Sequence, residues 1–312
     1  MSAFAVVNPR SASGRTGHEW SEIERGLREI YPALSVGFTT RRAEATNLVR
    51  RALGEGHSEI IAVGGDGTIN EAVNGFFNAE GALAPDAVFA FVTSGTGGDF
   101  RKTFGLEAGP QAALAHLKTA KIRAIDIGKV SCLSTEGLPV TRYFINVASF
   151  GLSGVIVDQV NRARIAKLFG GAFAFAFHSA LGMLKYRDRM VRLRIDGVYD
   201  EIDSISTVAV ANAQFFGGGM KIAPNAVPHD GEFDVVIIGG APKLQAIRDL
   251  KLIYTGEHIK NPAVRVVRGR KVVAAPVAET HGLAVLIETD GENAGKLPAT
   301  FEILPAALNL RC

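Results

Sequence analysis

Residues 60–75 have the sequence IIAVGGDGTINEAVNG, and this stretch decides the fold of the first part of the chain. The β-branched run Ile60–Val63 predicts a strand, and the residues Ile69–Phe76 after the glycines predict a helix. Glycines let the backbone approach a ligand closely and adopt positive φ, and the N–H groups exposed at a helix start favour bound phosphate. The segment Gly64–Thr68 therefore predicts a phosphate-binding loop, which we call the GGDGT loop.

Side chains of the GGDGT loop and of the following helix carry separate predictions. Thr68 and Glu71 match the T-x-x-E pattern of a capping box, so Thr68 is expected to cap the helix. A carboxylate beside bound phosphate is repulsive unless it holds a cation, and Asp66 is therefore expected to engage Mg²⁺ directly or through water. The alternative is a tight turn with a solvated Asp66. The sequence contains neither GxxxxGK[ST] nor GxGxxG, the two common phosphate-loop motifs.

Two more strand and loop segments have comparable positions in the pattern. The apolar run Ala3–Val7 precedes the polar segment Asn8–Arg15, and Val88–Val92 precedes Ser94–Phe100. Strands that alternate with helices predict a parallel sheet covered on both faces, and the loops of a doubly wound sheet meet at the carboxyl ends of its strands. We therefore expect a single nucleotide site that includes polar or charged side chains from Arg10, Arg15, Thr96 and Asp99.

The pattern of the sequence changes after Ile122. Extended runs separated by Gly, Asn, Asp and Pro outnumber helical patterns there, which predicts a β-sandwich or a large antiparallel sheet. These runs are Ala124–Val130, Arg142–Val147, Val191–Ile195, Thr207–Ala211, Phe233–Ile238, Val264–Val267, Leu283–Ile287 and Phe301–Leu304. We expect a nucleotide-binding α/β domain over residues 1–125 and a β-rich substrate domain over residues 126–312. A return of the last strand to the first domain is left open.

Composition limits the kind of protein. At 312 residues the chain is longer than a single hydrophobic core usually grows, which favours two domains. The net charge of +3 is far from the concentrated basic charge of nucleic-acid binders, and nucleic acid is not expected as a partner. Because Cys132 and Cys312 lie far apart, we expect no disulfide framework and a cytoplasmic protein. A homo-oligomer is left open.

One apolar segment, Leu168–Leu184, is flanked by basic residues on both sides. Because it contains His178 and Ser179 and is shorter than the roughly 20 apolar residues that span a bilayer, a transmembrane helix is not favoured. Its stripe at helical spacing predicts either ordinary core packing or an acyl-chain entrance at a membrane surface. The stripe consists of Phe169, Phe173, Phe177 and Leu181.

A second acidic segment, LIETDGENAGKLP, lies near the end of the chain at residues 286–298. Alternate residues of an extended chain point the same way, so Asp290 and Glu292 are candidates to share a site. A hydroxyl that attacks a γ-phosphate needs a positioned carboxylate to accept its proton. The alternative interpretation is a simple hairpin turn, which the sequence alone slightly favours.

Together these segments resemble the diacylglycerol kinase catalytic-domain family, which includes bacterial diacylglycerol kinases and related lipid kinases as well as sphingosine and ceramide kinases. The resemblance covers nearly the whole chain. It rests on an NPxSG-type opening, the GGDGT loop, the GT-containing loop at Gly95–Asp99, the IDIG run at Ile125, the segment FGGGMKIAPNAVPHDGEFDV and the final DGE. It implies an N-terminal α/β domain related to that of NAD kinases, a C-terminal β-sandwich-like domain, and an active site in the cleft between them.

The resemblance also implies roles for particular residues. Arg15 would face the ATP phosphates, and the full set of implied nucleotide-binding residues is Asn8, Arg15, Thr40, Gly64, Gly65, Gly67, Thr68, Glu71 and Thr96. Glu292 matches the general base that deprotonates the lipid hydroxyl, with Asp290 as its supporting partner. Asp66 is implied in catalysis and, with Asp99 and Asp126, in the catalytic Mg²⁺ network. Asp230 matches a ligand of a second, structural Mg²⁺, which would also take backbone oxygens near Val227 and Glu232.

Two residues depart from the family pattern. The family loop more often has the form PxGTxND, whereas Thr93 stands in place of the proline and Gly98 in place of the asparagine. The second change removes an amide that could orient nucleotide or metal. Nucleotide preference and the effect of the two departures are therefore left open.

The sequence favours an ATP- and Mg²⁺-dependent kinase that phosphorylates a lipid hydroxyl, with diacylglycerol or a related lipid alcohol as the expected acceptor in phospholipid metabolism. Peripheral contact with a membrane is expected. One alternative is an NAD kinase-like enzyme, because that family also uses a GGDGT-type loop in a two-domain architecture. Another is a non-catalytic nucleotide- or lipid-binding regulator. The acceptor itself is not encoded in motifs, because it depends on the shape of the site.

Overall fold

The computed structural model describes residues 2–94, 98–162, 186–239, 243–277 and 284–312. The chain divides into two compact units: Met1–Ile127 together with Pro305–Cys312, and Gly128–Leu304. We call them the first and the second unit. Two strands, β7 (Ile122–Leu133) and β17 (Glu292–Arg311), contain residues of both units.

The first unit alternates strands with helices. Its parallel sheet has the order β2-β1-β3-β6, and the end of β17 pairs in parallel with β6. Apart from β7, its elements are β1 (Ala3–Val7), α1 (Arg15–Ile30), β2 (Leu34–Phe38), α2 (Glu44–Gly54), β3 (Glu59–Gly64), α3 (Asp66–Gly75), β4 (Phe77–Asn78), β5 (Gly81–Ala82), β6 (Val88–Thr93), α4 (Asp99–Thr103) and α5 (Pro110–Leu117).

The central strands of the first unit are buried on both faces. Every residue of β3 and β6 is buried, as expected for parallel strands that helices cover on each side. Ile23 and Leu27 of α1 lie one helical turn apart and pack into the core with Val63 of β3 and Val92 of β6. The alternation of strands and helices predicted from the sequence is therefore present.

A buried charge network joins the C-terminal segment to the first unit. Arg311 donates to both oxygens of the buried Glu59 at 2.6 and 2.9 Å, and the Tyr31 hydroxyl donates to Glu59 Oε1 at 2.6 Å. The hydrogen bond with Glu59 raises the pKa of Arg311, while burial raises that of Tyr31. Because a buried carboxylate is tolerable only when it is paired, this network links the end of β17, which pairs with β6, to Glu59 of β3.

The second unit is predominantly antiparallel. One run of strands has the order β14-β13-β12-β9-β16-β17, a second has the order β11-β10-β15-β17, and β8 pairs with β7. Apart from β7, its elements are β8 (Pro139–Phe144), β9 (Val147–Gly151), α6 (Leu152–Arg162), β10 (Arg189–Ile195), β11 (Tyr199–Ile205), β12 (Thr207–Ala211), β13 (Phe233–Ile238), α7 (Lys243–Thr255), β14 (Val264–Gly269), β15 (Lys271–Pro276), β16 (Leu286–Thr289) and β17.

The core of the second unit lies between strand faces. In β10 buried and exposed residues alternate strictly, so one face of the strand lies against the core. Phe144 stacks on Phe233 with ring centroids 5.7 Å apart, and Phe150 stacks on Phe301 at 5.8 Å. Such offset ring pairs add to the free energy of apolar burial.

Most predicted extended runs correspond to observed strands; of the described part of Leu283–Ile287 only the last two residues lie in β16, and one further run is divided. The run Arg142–Val147 is broken between β8 and β9, because the backbone N–H groups of Ile145, Asn146 and Val147 donate to a carboxylate far along the chain. The sequence also gave no indication of β2, β11, β15 or α7. Among the described residues, no helix is long and apolar enough to cross a membrane, and Leu168–Leu184 with its Phe stripe lies outside them.

Candidate active site

The loops of the first unit converge because their strands end in register. Val7 of β1 is paired with Val63 of β3, and Gly64 of β3 is paired with Thr93 of β6. The segments that follow these strands therefore begin side by side at the carboxyl edge of the sheet, which is where ligands bind in open α/β folds. The predicted convergence of the loops is confirmed.

The GGDGT loop is shaped by close packing. A Cβ atom on Gly64 would lie 2.4 Å from Thr68 Oγ1 and 2.7 Å from Thr68 Cβ, so this position has room only for glycine. A Cβ atom on Gly65 would meet nothing within 4 Å. Gly64 therefore allows the first turn of α3 to fold back on the strand, whereas Gly65 leaves the backbone open to a ligand.

The start of α3 differs from the capping box expected at Thr68. Gly65 has φ −104°, so the turn at the start of α3 does not use the left-handed region there. The helix begins at Asp66, with Gly65 as its N-cap and without a side-chain cap, so Thr68 and Glu71 do not form a capping box. Since Thr68 lies inside the first turn, its hydroxyl is available to a different partner.

That partner is Asn8, which links the loop after β1 to the GGDGT loop. The Asn8 amide donates to Thr68 Oγ1 at 3.2 Å, and the Asn8 backbone N–H donates to the Val63 carbonyl at 2.9 Å. Asn8 Oδ1 in turn accepts the N–H of Arg10 at 3.1 Å. Asn8 thus orients both phosphate-loop candidates at once.

Glu71 and Thr40 have structural partners in the first unit. The Glu71 carboxylate accepts the N–H groups of Ala43 and Ala45 at 2.8 and 3.3 Å, which ties the start of α2 to α3. Thr40 donates its N–H and its hydroxyl to Glu44, at 2.5 and 2.8 Å, and these hydrogen bonds lower the pKa of Glu44. The nucleotide contacts implied for Thr40 and Glu71 stay predictions.

Asp66 and Asp99 lie together at the starts of two helices. Asp66 Oδ2 accepts the N–H of Asp99 at 3.0 Å, and the Asp99 carboxylate pairs with Lys102 at 2.8 Å. Asp126 lies elsewhere in the first unit, where it is buried and accepts the N–H of Ala306 at 2.8 Å. The structure thus brings two of the three implied magnesium carboxylates together.

The remaining implied contacts of the loop after β6 are only partly described. Arg15 donates to the Ser94 carbonyl at 3.5 Å, which places its guanidinium beside this loop. Thr96 lies outside the described residues. Gly98 has φ 78° and ψ 68°, a left-handed conformation that asparagine also tolerates, so the departure from the family pattern preserves the backbone while removing the amide. Thr93 ends β6 as a paired strand residue.

In the second unit the acidic segment forms a hairpin that we call the TDGE turn, Thr289–Glu292. Thr289 and Glu292 form the closing pair between β16 and β17, and the two turn residues Asp290 and Gly291 have φ 48° and 83°. Two left-handed residues in this order are typical of a type I′ turn. The hairpin interpretation is confirmed, and the premise that Asp290 and Glu292 alternate in extended chain was wrong.

Asp290 anchors this turn to the segment between β8 and β9. Its Oδ2 accepts the N–H of Ile145, and its Oδ1 accepts those of Asn146 and Val147, each at 3.0 Å. The Asp290 N–H donates to the Val147 carbonyl at 2.9 Å. Asp290 is therefore a positioning residue for the partly exposed Glu292 that follows it.

Sequence reasoning missed two residues beside the TDGE turn. Glu288 is buried in β16, where Ser149 and the N–H of Gly291 donate to its carboxyl group. Asn146 is 4% exposed and donates to the Phe215 carbonyl at 2.5 Å, while its Oδ1 accepts from no described group. The available signal in the sequence was a polar residue within a mainly apolar run: Asn146 in FINVASF and Glu288 in LIET.

The residues implied in a structural magnesium site surround a guanidinium instead. Arg268 of β14 forms ion pairs with Asp230, with Glu232 at 3.3 Å and with Asp234 at 3.2 Å. The Val227 carbonyl accepts the N–H of His229 at 2.8 Å. One guanidinium offsets only one of these three carboxylate charges, so the structural magnesium site that the resemblance implies stays a prediction.

The position of Asp66 fits the catalytic magnesium that the resemblance implies. Mg²⁺ is usually held by one or two carboxylates together with substrate phosphates and water, and Asp66 lies partly exposed at the phosphate-loop candidate. Within the described ranges, no three His, Cys, Asp or Glu side chains are arranged to hold a metal ion by themselves. The donor set therefore fits a metal that arrives with a nucleotide.

Comparisons with known proteins identify the family. Residues 2–130 match the diacylglycerol kinase catalytic domain, and residues 146–312 match the YegS C-terminal NAD kinase beta sandwich-like domain. A probable lipid kinase YegS-like from Pseudomonas putida is 30% identical over 91% of this chain and 87% of its own. A diacylglycerol kinase from Mycobacterium tuberculosis is 25% identical over 86% of this chain and 81% of its own.

Solved structures agree on the fold. The crystal structure of a diacylglycerol kinase from Bacillus anthracis matches 99% of this chain and 96% of its own with a TM-score of 0.71 and 20% identity. Yeast NADH kinase complexed with NADH matches 100% of this chain and 83% of its own with a TM-score of 0.51 and 11% identity. The predicted fold class, an α/β domain with a β-sandwich-like domain, is confirmed. The chain belongs to the diacylglycerol kinase catalytic-domain family of lipid kinases, enzymes that transfer phosphate to an alcohol.

Proposed function

We propose that this protein transfers the γ-phosphate of ATP to the hydroxyl group of a lipid alcohol, with diacylglycerol or a related lipid as acceptor. The observation that carries the proposal is the register of β1, β3 and β6, which gathers Asn8, the GGDGT loop and Asp99 at one sheet edge. Names of relatives support the acceptor class, since several are called diacylglycerol kinase.

The first unit supplies the proposed nucleotide-binding residues. The open backbone at Gly65 and the N–H groups at the start of α3 favour phosphate oxygens, since the positive end of a helix dipole points toward them. Arg15 adds positive charge next to the loop after β6. Asp66 is the residue we propose to hold Mg²⁺, which when bound to ATP neutralises charge on the phosphates.

The second unit supplies the proposed general base. Glu292 accepts the proton of the lipid hydroxyl at its carboxylate as the oxygen attacks the γ-phosphorus. Asp290 takes no proton, because both of its oxygens accept backbone N–H groups. The hydrogen-bonded turn is proposed to hold Glu292 in a fixed position. Such positioning of a catalytic group lowers the barrier to phosphoryl transfer.

Transfer of labelled γ-phosphate from Mg-ATP to a panel of lipid alcohols in mixed micelles tests the proposal. The panel contains diacylglycerol, monoacylglycerol, phosphatidylglycerol and a sphingoid base, with NAD as the competing acceptor. Phosphorylation of one lipid that disappears in Glu292→Ala supports both the activity and the base. Phosphorylation of NAD alone, or ATP binding without transfer to any acceptor, contradicts the proposal.

The protein is proposed to act at the membrane surface from the cytoplasm, because its acceptor is a lipid. Co-sedimentation with anionic and with neutral vesicles measures this association separately from catalysis. Binding to neither kind of vesicle contradicts peripheral membrane contact.

A further inference from the structure

Glu288 is a buried acidic residue that the proposed chemistry does not use. It lies in β16, a strand with β9 on one side and β17 on the other. Across these strands it is paired with Ser149 of β9 and Asn293 of β17, and only 2% of its surface is exposed. A carboxyl group at such a position is costly unless every polar atom is bonded.

The hydrogen bonds of Glu288 connect the TDGE turn to helix α6. Its Oε2 accepts the N–H of Gly291 at 2.9 Å, and its Oε1 is bonded to the hydroxyl of Ser149. The Ser149 oxygen lies 2.8 Å from that of Ser153, in the first turn of α6. The helix is itself fixed against β16, because a Cβ atom on Gly154 would lie 2.3 Å from the Leu286 carbonyl oxygen.

We infer that Glu288 is a positioning residue for the proposed general base, because its hydrogen bond to Gly291 fixes the direction in which Glu292 leaves the turn. The inference rests on the proposed function, since it concerns the base of that reaction. Asp290 attaches the turn to β9 by accepting the N–H of Val147, and Glu288 attaches it to β16 by accepting the N–H of Gly291. The turn therefore has two independent supports within the second unit.

The charges around Glu288 favour its protonated form. Burial raises the pKa of Glu288 to about 8, the hydrogen bonds from Ser149 and Gly291 oppose this, and the negative charges of Asp290 and Glu292 add to it. Strand β9 presents no ionisable side chain to it. The other described charged groups on elements next to β16 are Asp158 of α6, Arg142 of β8, and Lys296, Glu302 and Arg311 of β17.

An ionised Glu288 accepts the Ser149 hydroxyl, whereas a protonated Glu288 can donate to Ser149 while that hydroxyl donates to Ser153; in both states the other oxygen of Glu288 accepts the N–H of Gly291. Glutamine can make the same two hydrogen bonds without ionising, because its amide has one acceptor oxygen and a donor NH₂. Leucine fills a similar volume and makes neither bond. Glu288→Gln and Glu288→Leu therefore separate the hydrogen bonds from the volume, and the exposed Glu302 of β17 offers the matched controls Glu302→Gln and Glu302→Leu.

Steady-state kinetics of lipid phosphorylation by the full-length variants are the first measurement. At pH 7 we expect Glu288→Gln to keep kcat within about twofold, and Glu288→Leu to lower kcat by about 10- to 100-fold with KM nearly unchanged, as for a misplaced catalytic group. Between pH 7 and 9 the kcat of Glu288→Gln should rise relative to the unmodified protein, which loses its neutral acid in that range. Unchanged kcat in Glu288→Leu, or a loss in Glu288→Gln as large as in Glu288→Leu, overturns the inference.

Hydrogen exchange supplies a readout that does not depend on activity. Peptides spanning residues 286–296 should exchange faster in Glu288→Leu than in the unmodified protein, and at the unmodified rate in Glu288→Gln and in both Glu302 variants. Equal protection in all variants contradicts the support of the turn by Glu288. If the unmodified protein phosphorylates no lipid, the proposed function fails, and the exchange result still decides whether Glu288 holds the turn. If Glu288→Leu does not fold, the pH dependence of Glu288→Gln decides.

Discussion

The GGDGT loop and the TDGE turn both contain an Asp-Gly pair, but their aspartates have different hydrogen-bond partners. Each places an aspartate next to glycine at a sharp change of chain direction, and in each the aspartate accepts backbone N–H groups. Asp66 accepts the N–H of the neighbouring Asp99 at a helix start, whereas Asp290 accepts three N–H groups from the segment between β8 and β9. The first aspartate therefore lies beside backbone that a helix start offers to a ligand, and the second holds a hairpin to the strands around it.

The difference shows that a conspicuous Asp-Gly pair does not by itself define a catalytic carboxylate. At a helix start the N–H groups of the backbone are offered to a ligand, since the helix cannot use them. At a hairpin they are used by the strands, and the aspartate side chain stabilises the chain around it. Three sets of variants sharpen this comparison, each with a matched variant elsewhere in the chain.

The largest expected effect is on the stability of the second unit. Asp290→Ala removes the acceptor of three buried N–H groups and should lower the free energy of unfolding by about 3–5 kcal/mol, since each unpaired group costs about 1–3 kcal/mol. Asp66→Ala removes the acceptor of the Asp99 N–H and should cost less, about 1–2 kcal/mol. Urea denaturation of both variants measures the difference. Asp290→Asn tolerates the left-handed backbone of this position and separates the lost oxygen from backbone strain.

Equal costs for Asp66→Ala and Asp290→Ala would remove the distinction between a ligand-binding and an architectural aspartate. A loss of lipid phosphorylation in Asp66→Ala, without a large loss of stability, would sharpen it.

The pH dependence of the free energy of unfolding should report the ionisation of Glu288, which is hydrogen-bonded to the TDGE turn. An unfolded chain releases the Glu288 proton near the ordinary glutamate pKa, whereas the folded protein retains it until about pH 8. Between these values the folded state binds the additional proton, so its stability falls as pH rises, by up to about 1.4 kcal/mol per pH unit. Glu288→Gln has no such proton and should gain stability relative to the unmodified protein between pH 5 and pH 8, by about 2–4 kcal/mol.

Thermal denaturation of the two proteins at pH 5 and pH 8 measures this gain. The exposed Glu302→Gln serves as control, and its difference from the unmodified protein should stay constant. A constant difference for Glu288→Gln as well would show that Glu288 ionises normally.

The smallest expected effect distinguishes two adjacent glycines of the GGDGT loop. Gly64→Ala places a Cβ atom 2.4 Å from Thr68 Oγ1 and should cost about 1–3 kcal/mol by overpacking. Gly65→Ala meets no atom within 4 Å and should change stability by less than about 0.5 kcal/mol, a typical value away from packed positions. Denaturation measures both, and calorimetric titration with ATP should show weaker binding to Gly65→Ala. Normal ATP affinity in Gly65→Ala would place the phosphates elsewhere.

Local patterns were sufficient to predict much of the fold. The strands Ala3–Val7, Thr207–Ala211 and Phe233–Ile238 have the predicted bounds, because apolar β-branched runs between turn residues signal strands directly. The half-exposed strand β2 was missed, since Leu34–Phe38 contains serine and glycine and alternates weakly. Helix α7 was also missed, because its apolar residues do not form a clear stripe at helical spacing in the sequence.

The site was less predictable than the fold because its decisive contacts join distant residues. The GGDGT loop could be identified from five consecutive residues, but the partner of Thr68 is Asn8, 60 residues earlier. The three donors to Asp290 lie 143–145 residues before it. Glu71 matched a local capping pattern, yet it binds the start of α2, because α3 begins three residues before the position that the pattern requires. Local motifs do not contain such information.

We propose that the first unit binds the nucleotide and that the second unit supplies the residue that abstracts the proton. The variant Glu292→Gln tests this proposal. Single-turnover transfer of the γ-phosphate to the lipid acceptor, measured with the ATP dissociation constant of the same sample, separates the two steps. The account predicts an unchanged dissociation constant, within about twofold, and a transfer rate lower by about 10²- to 10⁴-fold, the usual contribution of a general base. A variant that transfers phosphate at the unmodified rate, or that no longer binds ATP, would contradict the assignment.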